Sequence, residues 1–278
     1  MSISLNSKIV PFATYPNGEA IVPLLDNALE RGNVVRLHWT SDSDLINLMF
    51  LRGMLAGDRE AILHIDYMPY SRMDRAQDGH CFSLQYVSEF INKLVFDQVV
   101  VCEPHSQVTL DLLEASRAVY PSLQLLHRAT TEQYWSHAND FVVFPDAGAC
   151  KRYLDLESPV IEDANYIVMN KIRDFSTGKI NGLDIDHQVI RRSRRPKLGG
   201  RAVIVDDLCS RGGTFIGAAD LLRTELQFQK IDLAVTHLEE AANNRDLGKS
   251  IDTIFATDTV WSHPSSHKVR IYKKEDLT

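Results

Sequence analysis

Eight short runs rich in Val, Ile and Leu, set apart by stretches with helical spacing, constrain this chain more than any other feature. They are Val34–His38, Ala61–Tyr67, Gln98–Cys102, Phe141–Phe144, Tyr166–Met169, Ala202–Val205, Ile231–Val235 and Ile254–Ala256. Between them, Ser43–Leu55, Leu84–Leu94, Val108–Ala118 and Phe215–Leu222 carry apolar residues at helical spacing. Buried strands alternating with amphipathic helices predict an α/β fold of βαβ units, with mainly parallel sheets covered by helices on both faces. Ligands bind such sheets at the carboxyl ends of the strands, where loops meet helix N-termini. A chain of 278 residues suits two units of this kind. A boundary is expected within residues 128–140, dividing residues 1–132 from 133–278, although no Pro/Gly-rich linker marks it.

The remaining composition excludes several classes. A net charge of −7 argues against a general nucleic-acid binder, which needs a surplus of Lys and Arg, but leaves room for a local basic pocket. No apolar run approaches the roughly 20 residues that span a bilayer, and the first ten residues lack the pattern of a signal peptide. Cys81, Cys102, Cys150 and Cys209 are scattered beside apolar stretches, so buried free thiols in a reducing cytoplasm are expected. Arg191–Lys197 is a basic stretch that suits either a solvated loop or a phosphate-facing one.

The most informative segment runs from Ala202 to Phe215. A buried strand ends in Asp206 and Asp207, and a short loop through Ser210, Arg211, Gly212, Gly213 and Thr214 opens a helix. Glycines there let backbone N–H groups turn toward a phosphate, and the helix N-terminus favours negative charge. Ser210 and Thr214 offer hydroxyls and Arg211 a charge-assisted contact. The acids suit ribose hydroxyls or hydrated Mg²⁺ instead. It is not a Walker A loop: the sole Gly-Lys-Ser, Gly248–Ser250, has Asn243 where the upstream glycine belongs.

This segment resembles the ribose-phosphate loop of type I phosphoribosyltransferases, and five others, in order, narrow the likeness. Tyr15–Glu19 is similar to an aromatic-x-Asp/Asn-Gly-Glu loop, though alone it also reads as an Asn-Gly turn. Pro69–Arg75 resembles Pro-Tyr-x-Arg-Gln-Asp-Arg, with Met73 in place of Gln. Val101–Gln107 resembles a strand end followed by Asp-Leu-His-Ser/Ala-x-Gln, with Glu103 in place of Asp. Pro145–Arg152 resembles Pro-Asp-x-Gly-x-x-Lys-Arg, which alone would also suit a capped helix start, and Val168–Arg173 resembles the strand entering a mobile catalytic loop. Together, from about Tyr15 to about Asp258, they resemble the ribose-phosphate diphosphokinases, also called phosphoribosyl diphosphate synthetases.

The resemblance implies two phosphoribosyltransferase-like domains and transfer of a diphosphate from Mg·ATP to a ribose C1 hydroxyl, releasing AMP. It implies that Tyr15, Asn17, Glu19, Arg72, Asp74, Arg75 and His105 hold ATP, and that His105 and Asp146 hold Mg²⁺. Lys171 and Arg173, with His105, would act on the transferring group, and Asp146, Asp206, Asp207, Ser210, Arg211, Gly212, Gly213 and Thr214 would hold the acceptor. It implies a homo-oligomer, dimer or hexamer, because the adenine loop serves a neighbouring subunit. Two departures stand out. The family's loop has Asp and Thr where this chain has Ser210 and Arg211, and the segment before Tyr15 is short. Both leave ADP-ribose beside ribose 5-phosphate as an acceptor, and a phosphoribosyltransferase or a non-catalytic regulator as other outcomes. Short, divergent members of this kind occur in bacteriophages, which makes a phage source, acting in the host cytoplasm, one expectation.

Overall fold

A computed structural model describes residues 2–24, 32–55, 60–76, 79–132, 135–137, 139–156, 158–162, 164–173, 180–185, 200–243 and 245–277. At 171–173, 180–182 and 245 the description covers the backbone alone. Arg191–Lys197 lies outside the described residues. The chain divides into two compact units, Met1–Val119 and Tyr120–Thr278.

In the first unit the described elements are β1 (Ile3–Leu5), β2 (Lys8–Ile9), β3 (Ala13–Thr14), β4 (Ala20–Ile21), β5 (Asn33–Leu37), α1 (Ser43–Met54), β6 (Ala61–Ile65), α2 (Ser83–Asn92), β7 (Gln98–Cys102), α3 (Val108–Leu112) and β8 (Ser116–Val119). Strands β5, β6, β7 and β8 pair in parallel in that order, and the hairpin β1–β2 adds an antiparallel edge beside β5. Alternate residues Val35, Leu37, Leu63, Ile65, Val99 and Val101 pack with Leu48 and Leu51 of α1, with Leu55 just after it, and with Leu84 and Ile91 of α2. On the other face, Val34, Arg36, Ile62 and His64 of β5 and β6 are half-buried, while Val100 and Cys102 of β7 are buried. The period-2 pattern of β5 and β6 puts a cation and an imidazole together on that side.

The second unit contains α4 (Pro121–Thr131), β9 (Phe141–Phe144), α5 (Ala147–Leu154), α6 (Pro159–Glu162), β10 (Asn165–Arg173), β11 (Ile180–Ile185), β12 (Arg201–Cys209), α7 (Gly213–Thr224), β13 (Lys230–Leu238), α8 (Arg245–Ser250), β14 (Thr253–Thr257) and β15 (Val269–Tyr272). Its sheet runs β11-β10-β9-β12-β13-β14-β15, parallel throughout except for β11. Both faces are dry. Phe141, Val143, Ile204, Leu233 and Val235 pack with Phe215, Ala218, Ala219 and Leu222 of α7. Val142, Phe144, Val203, Val205 and Phe255 pack with Leu125, Leu126 and Ala129 of α4 and with Tyr153 of α5.

All eight expected strands form, and three expectations are corrected. Helix α3 stops at Leu112, because Leu113 turns extended and Ala115 adopts φ 48°. Ser116 Oγ then donates to the carbonyls of Leu110 and Leu113, and the chain continues as β8. The division between units precedes α4 instead of following it, because the buried stripe of α4 belongs to the second core. Cys81 is exposed, while Cys102, Cys150 and Cys209 are buried free thiols as expected.

At the amino edge of the second sheet, β12 is anchored by a buried ion pair. Arg201 Nε donates to Asp232 Oδ2 at 2.7 Å, Nη2 donates to the Ala129 carbonyl at 2.6 Å, and the Arg201 amide donates to Asp140 Oδ1 at 2.9 Å. Removing one partner strands a charge in an apolar interior. Asp232→Ala is therefore expected to lower unfolding stability by about 3–5 kcal/mol, read by urea or thermal unfolding. A loss under about 1 kcal/mol would contradict this assignment.

Candidate active site

Strand order in the second sheet reverses between β9 and β12: β10 lies on one side of β9, and β12, β13 and β14 follow on the other. Loops leaving two neighbouring strands part at such a point, opening a crevice at their carboxyl ends. Asp146 follows β9, and Asp206 and Asp207 lie on β12. The strand runs past its expected end at Val205 to Cys209, paired with β13 through Asp206↔Val235, Leu208↔His237 and Cys209↔Leu238. The acids are thus set in a hydrogen-bonded ladder.

Asp146 is extended at φ −163°, and its Oδ1 accepts the Ala149 amide at 2.9 Å, capping α5. A Cβ on Gly148 would sit 3.1 Å from that oxygen, so a glycine keeps the cap uncrowded. Further along α5, Arg152 places Nη1 3.0 Å from Asp207 Oδ1 and 3.6 Å from Asp206 Oδ1. Its guanidinium also lies 5.7 Å from the Tyr153 ring centroid. Burial, followed by the negative charge and hydrogen bonding of Asp207, pushes the Asp206 carboxyl well up; Arg152 opposes this and Asp146 adds to it. Burial, with Asp206 and Glu239, pushes the Cys209 thiol up to about 12, so it offers no thiolate at neutral pH.

After β12, Ser210 is half-buried, Arg211 is exposed and Thr214 is half-buried in the first turn of α7. Gly212 caps α7 at φ +79°, where a Cβ would lie 2.8 Å from Leu247 Cδ1. Gly213 has no positive φ, and a Cβ there would meet nothing within 4 Å. The Glu239 amide donates to the Cys209 carbonyl at 2.9 Å and ties the next loop to this one.

Expected nucleotide residues lie in the first unit. Asp74 is buried and its Oδ1 accepts Arg75 Nε at 3.0 Å. Burial pushes its carboxyl up, but Arg75, with the Ser106 hydroxyl and the His105 ring nearby, holds it below the usual carboxylate range. Two expected segments thus meet, because the loops after β6 and β7 leave neighbouring parallel strands. Tyr70, at φ 61°, donates its hydroxyl to Asp42 Oδ1 at 2.8 Å, and Arg72 is exposed. Tyr15, Asn17 and Glu19 are exposed on the β3–β4 hairpin, with Gly18 N donating to Tyr15 O and Asn17 Oδ1 accepting the Glu19 amide.

Lys171 and Arg173 fall on β10 beyond its pairing with β9, in the stretch that pairs antiparallel with β11 as Lys171↔Leu183 and Arg173↔Ile180. Their side chains lie outside the described residues.

No family model matches the chain. Curated proteins do. It is 27% identical to the ribose-phosphate pyrophosphokinase of Pyrococcus furiosus over 259 residues, covering 90% of this chain and 86% of the relative. It is 30% identical to the ribose-phosphate pyrophosphokinase of Methanopyrus kandleri over 258 residues, covering 88% and 82%. The chain belongs to the ribose-phosphate pyrophosphokinase family. Among solved structures, the phosphoribosylpyrophosphate synthetase of Mycobacterium smegmatis superposes with a TM-score of 0.69 at 18% identity, covering 96% of this chain and 86% of that one, which shows a shared fold.

For a ribose-phosphate pyrophosphokinase relative, the donor set suits Mg²⁺, a hard cation bound through one or two carboxylates plus waters and substrate phosphates. Asp146, Asp206 and Asp207 supply carboxylates at the crevice. No group of three or more His, Cys, Asp or Glu that would cage a metal occurs among the described residues, and magnesium sites of this kind need none. Sequence reasoning did not give Arg152 a role. Its signal was the Lys151-Arg152 pair, which acquires meaning only when α5 is seen beside β12.

The two glycines separate fold from ligand. Gly212→Ala is expected to cost about 2 kcal/mol or more, from the left-handed backbone and the Leu247 contact. Gly213→Ala should leave unfolding stability unchanged or slightly raised. Thermal unfolding of both variants checks the pair, and an equal loss in each would contradict it.

Proposed function

We propose that this chain transfers a diphosphate group from ATP to the C1 hydroxyl of ribose 5-phosphate. Supporting this reading above all is the meeting of the Asp206–Asp207 pair, Asp146 and the Gly212–Gly213 turn around one strand-order reversal in a member of this family. The hydroxyl oxygen bonds to the β-phosphorus as the bond from that phosphorus to the α,β-bridging oxygen breaks. AMP departs with that oxygen and the hydroxyl proton is released to water. Such chemistry asks for alignment and charge neutralisation, with no covalent intermediate.

Asp206 and Asp207 accept hydrogen bonds from ribose hydroxyls. Ser210, Thr214 and the backbone amides of the turn donate to the 5-phosphate. Gly213 supports this assignment: the fold needs no glycine there, whereas a phosphate drawn close to the backbone does. Tyr15, Asn17, Glu19, Arg72, Asp74 and Arg75 hold ATP, with Tyr15–Glu19 serving a neighbouring copy in a homo-oligomer. Lys171 and Arg173 stabilise charge on the transferring group. His105 and Asp146 are each proposed as ligands for the Mg²⁺ that would neutralise charge on the phosphates.

Arg211 favours a second acceptor. An exposed guanidinium in a loop that otherwise carries Asp and Thr suits a phosphate bearing a further negative group, as in ADP-ribose. One experiment tests both: the protein with ATP and Mg²⁺, offered ribose 5-phosphate or ADP-ribose, with AMP and sugar product quantified by mass spectrometry. AMP and 5-phosphoribosyl diphosphate are expected with ribose 5-phosphate. AMP with ADP-ribose alone would transfer the activity to the larger acceptor, and silence with both would overturn the enzyme reading. Lys171→Ala and Arg173→Ala should each lower kcat by about 100- to 1,000-fold.

A further inference from the structure

Adjacent residues on a strand point to opposite faces of its sheet. Asp206 and Asp207 are adjacent on β12, yet one nitrogen, Arg152 Nη1, lies 3.6 Å from a carboxylate oxygen of the first and 3.0 Å from one of the second. We infer that Arg152 is a positioning residue for the acceptor: it gathers the two carboxylates of β12 to one side, where they take the two vicinal hydroxyls of a ribose. The inference deepens the proposed function and rests on it.

Three observations separate this from a structural ion pair. Arg201 and Asp232 show what a structural pair looks like in this sheet: side chains 7% and 0% exposed, at the amino edge, with β12, β13 and α4 tied together. Arg152 and Asp206 retain 16% and 17% exposure at the carboxyl edge, where a ligand arrives. The arginine is also held from its own helix, since Asp146 caps α5 and the Tyr153 ring lies against the guanidinium. One short helix thereby carries Asp146 at its start and, near its end, the cation that sets the other two acids.

A diol read by two gathered acceptors is distinguished from a sugar lacking one hydroxyl, because an unmatched buried acceptor is costly. The test is therefore selectivity as well as rate. Wild type, Arg152→Met and Arg152→Lys are compared for kcat and KM with ATP, with ribose 5-phosphate and with 2-deoxyribose 5-phosphate, alongside calorimetric binding of ribose 5-phosphate. Arg152→Met is expected to raise the ribose 5-phosphate KM about 10- to 100-fold, with the ATP KM moved less than about twofold. The preference for ribose over deoxyribose should shrink about tenfold, and Arg152→Lys should recover most of both. Equal changes in both KM values, or an unchanged preference, would overturn the inference and leave the functional reading intact. If Arg152→Met does not fold, Arg152→Gln decides, since an unmoved preference and KM in that variant would also overturn it. A wild type that neither turns over nor binds ribose 5-phosphate would remove the functional reading itself.

Discussion

Two carboxylates on successive residues of a buried strand repel each other, and burial removes the water that would screen them. Much of the second unit's carboxyl edge is arranged around that repulsion. β12 reaches past Val205 to Cys209, and this extension sets the acids in a ladder. α5 starts one strand away, capped by a third acid, and brings Arg152 back over the pair. Because the chain order reverses between β9 and β12, the helix after β9 and the loop after β12 can approach the same ligand without crossing. The dry faces on either side make this affordable: six strands of Val, Ile and Phe hold a polar edge in place.

The two ends of β12 show the same ionic chemistry used differently. At its start, Arg201 is enclosed, bonded to a carboxylate and a carbonyl, with its backbone amide held by Asp140. At its far end, Arg152 stands over two carboxyls of which one is pushed well up by burial and by its neighbour. A site with more negative charge than its own cation offsets can gain from hydroxyl donors or a cation. The enclosed end fixes the strand, and the far end keeps negative charge that its own cation does not offset.

Much of this was legible in the sequence, for identifiable reasons. Fully buried parallel strands are continuous apolar runs, so β9, β10, β12, β13 and β14 could be found from Val and Ile alone. The acid pair and double glycine stood out because neither belongs at the end of a buried strand without purpose. Edge elements were not legible: β8 follows a helical pattern whose end is dictated by Ala115 at positive φ. Helix α4 was missed because its apolar stripe has meaning only against the second sheet. Arg152 was visible as one half of a basic pair, but its partners on β12 are more than fifty residues away and only topology brings them together. The convergence of Asp74 with His105 and Ser106 was hidden likewise, since two motifs on separate loops look independent until β6 and β7 are known to be neighbours.

The departures at Ser210 and Arg211 acquire a physical meaning from the same edge. Asp146, Asp206 and Asp207 supply three carboxylates there, against the guanidinium groups of Arg152 and Arg211. A loop with Asp and Thr at those two places would have four carboxylates against one guanidinium. Replacing that pair by Ser and Arg removes one negative charge and adds one positive charge, on the residues that lead into the N-terminus of α7. The acids that would face ribose hydroxyls under the proposed function stay in the ladder and are not part of the exchange. What changes is the potential met by whatever hangs from the sugar's phosphate, and the local shift is toward attraction for negative charge.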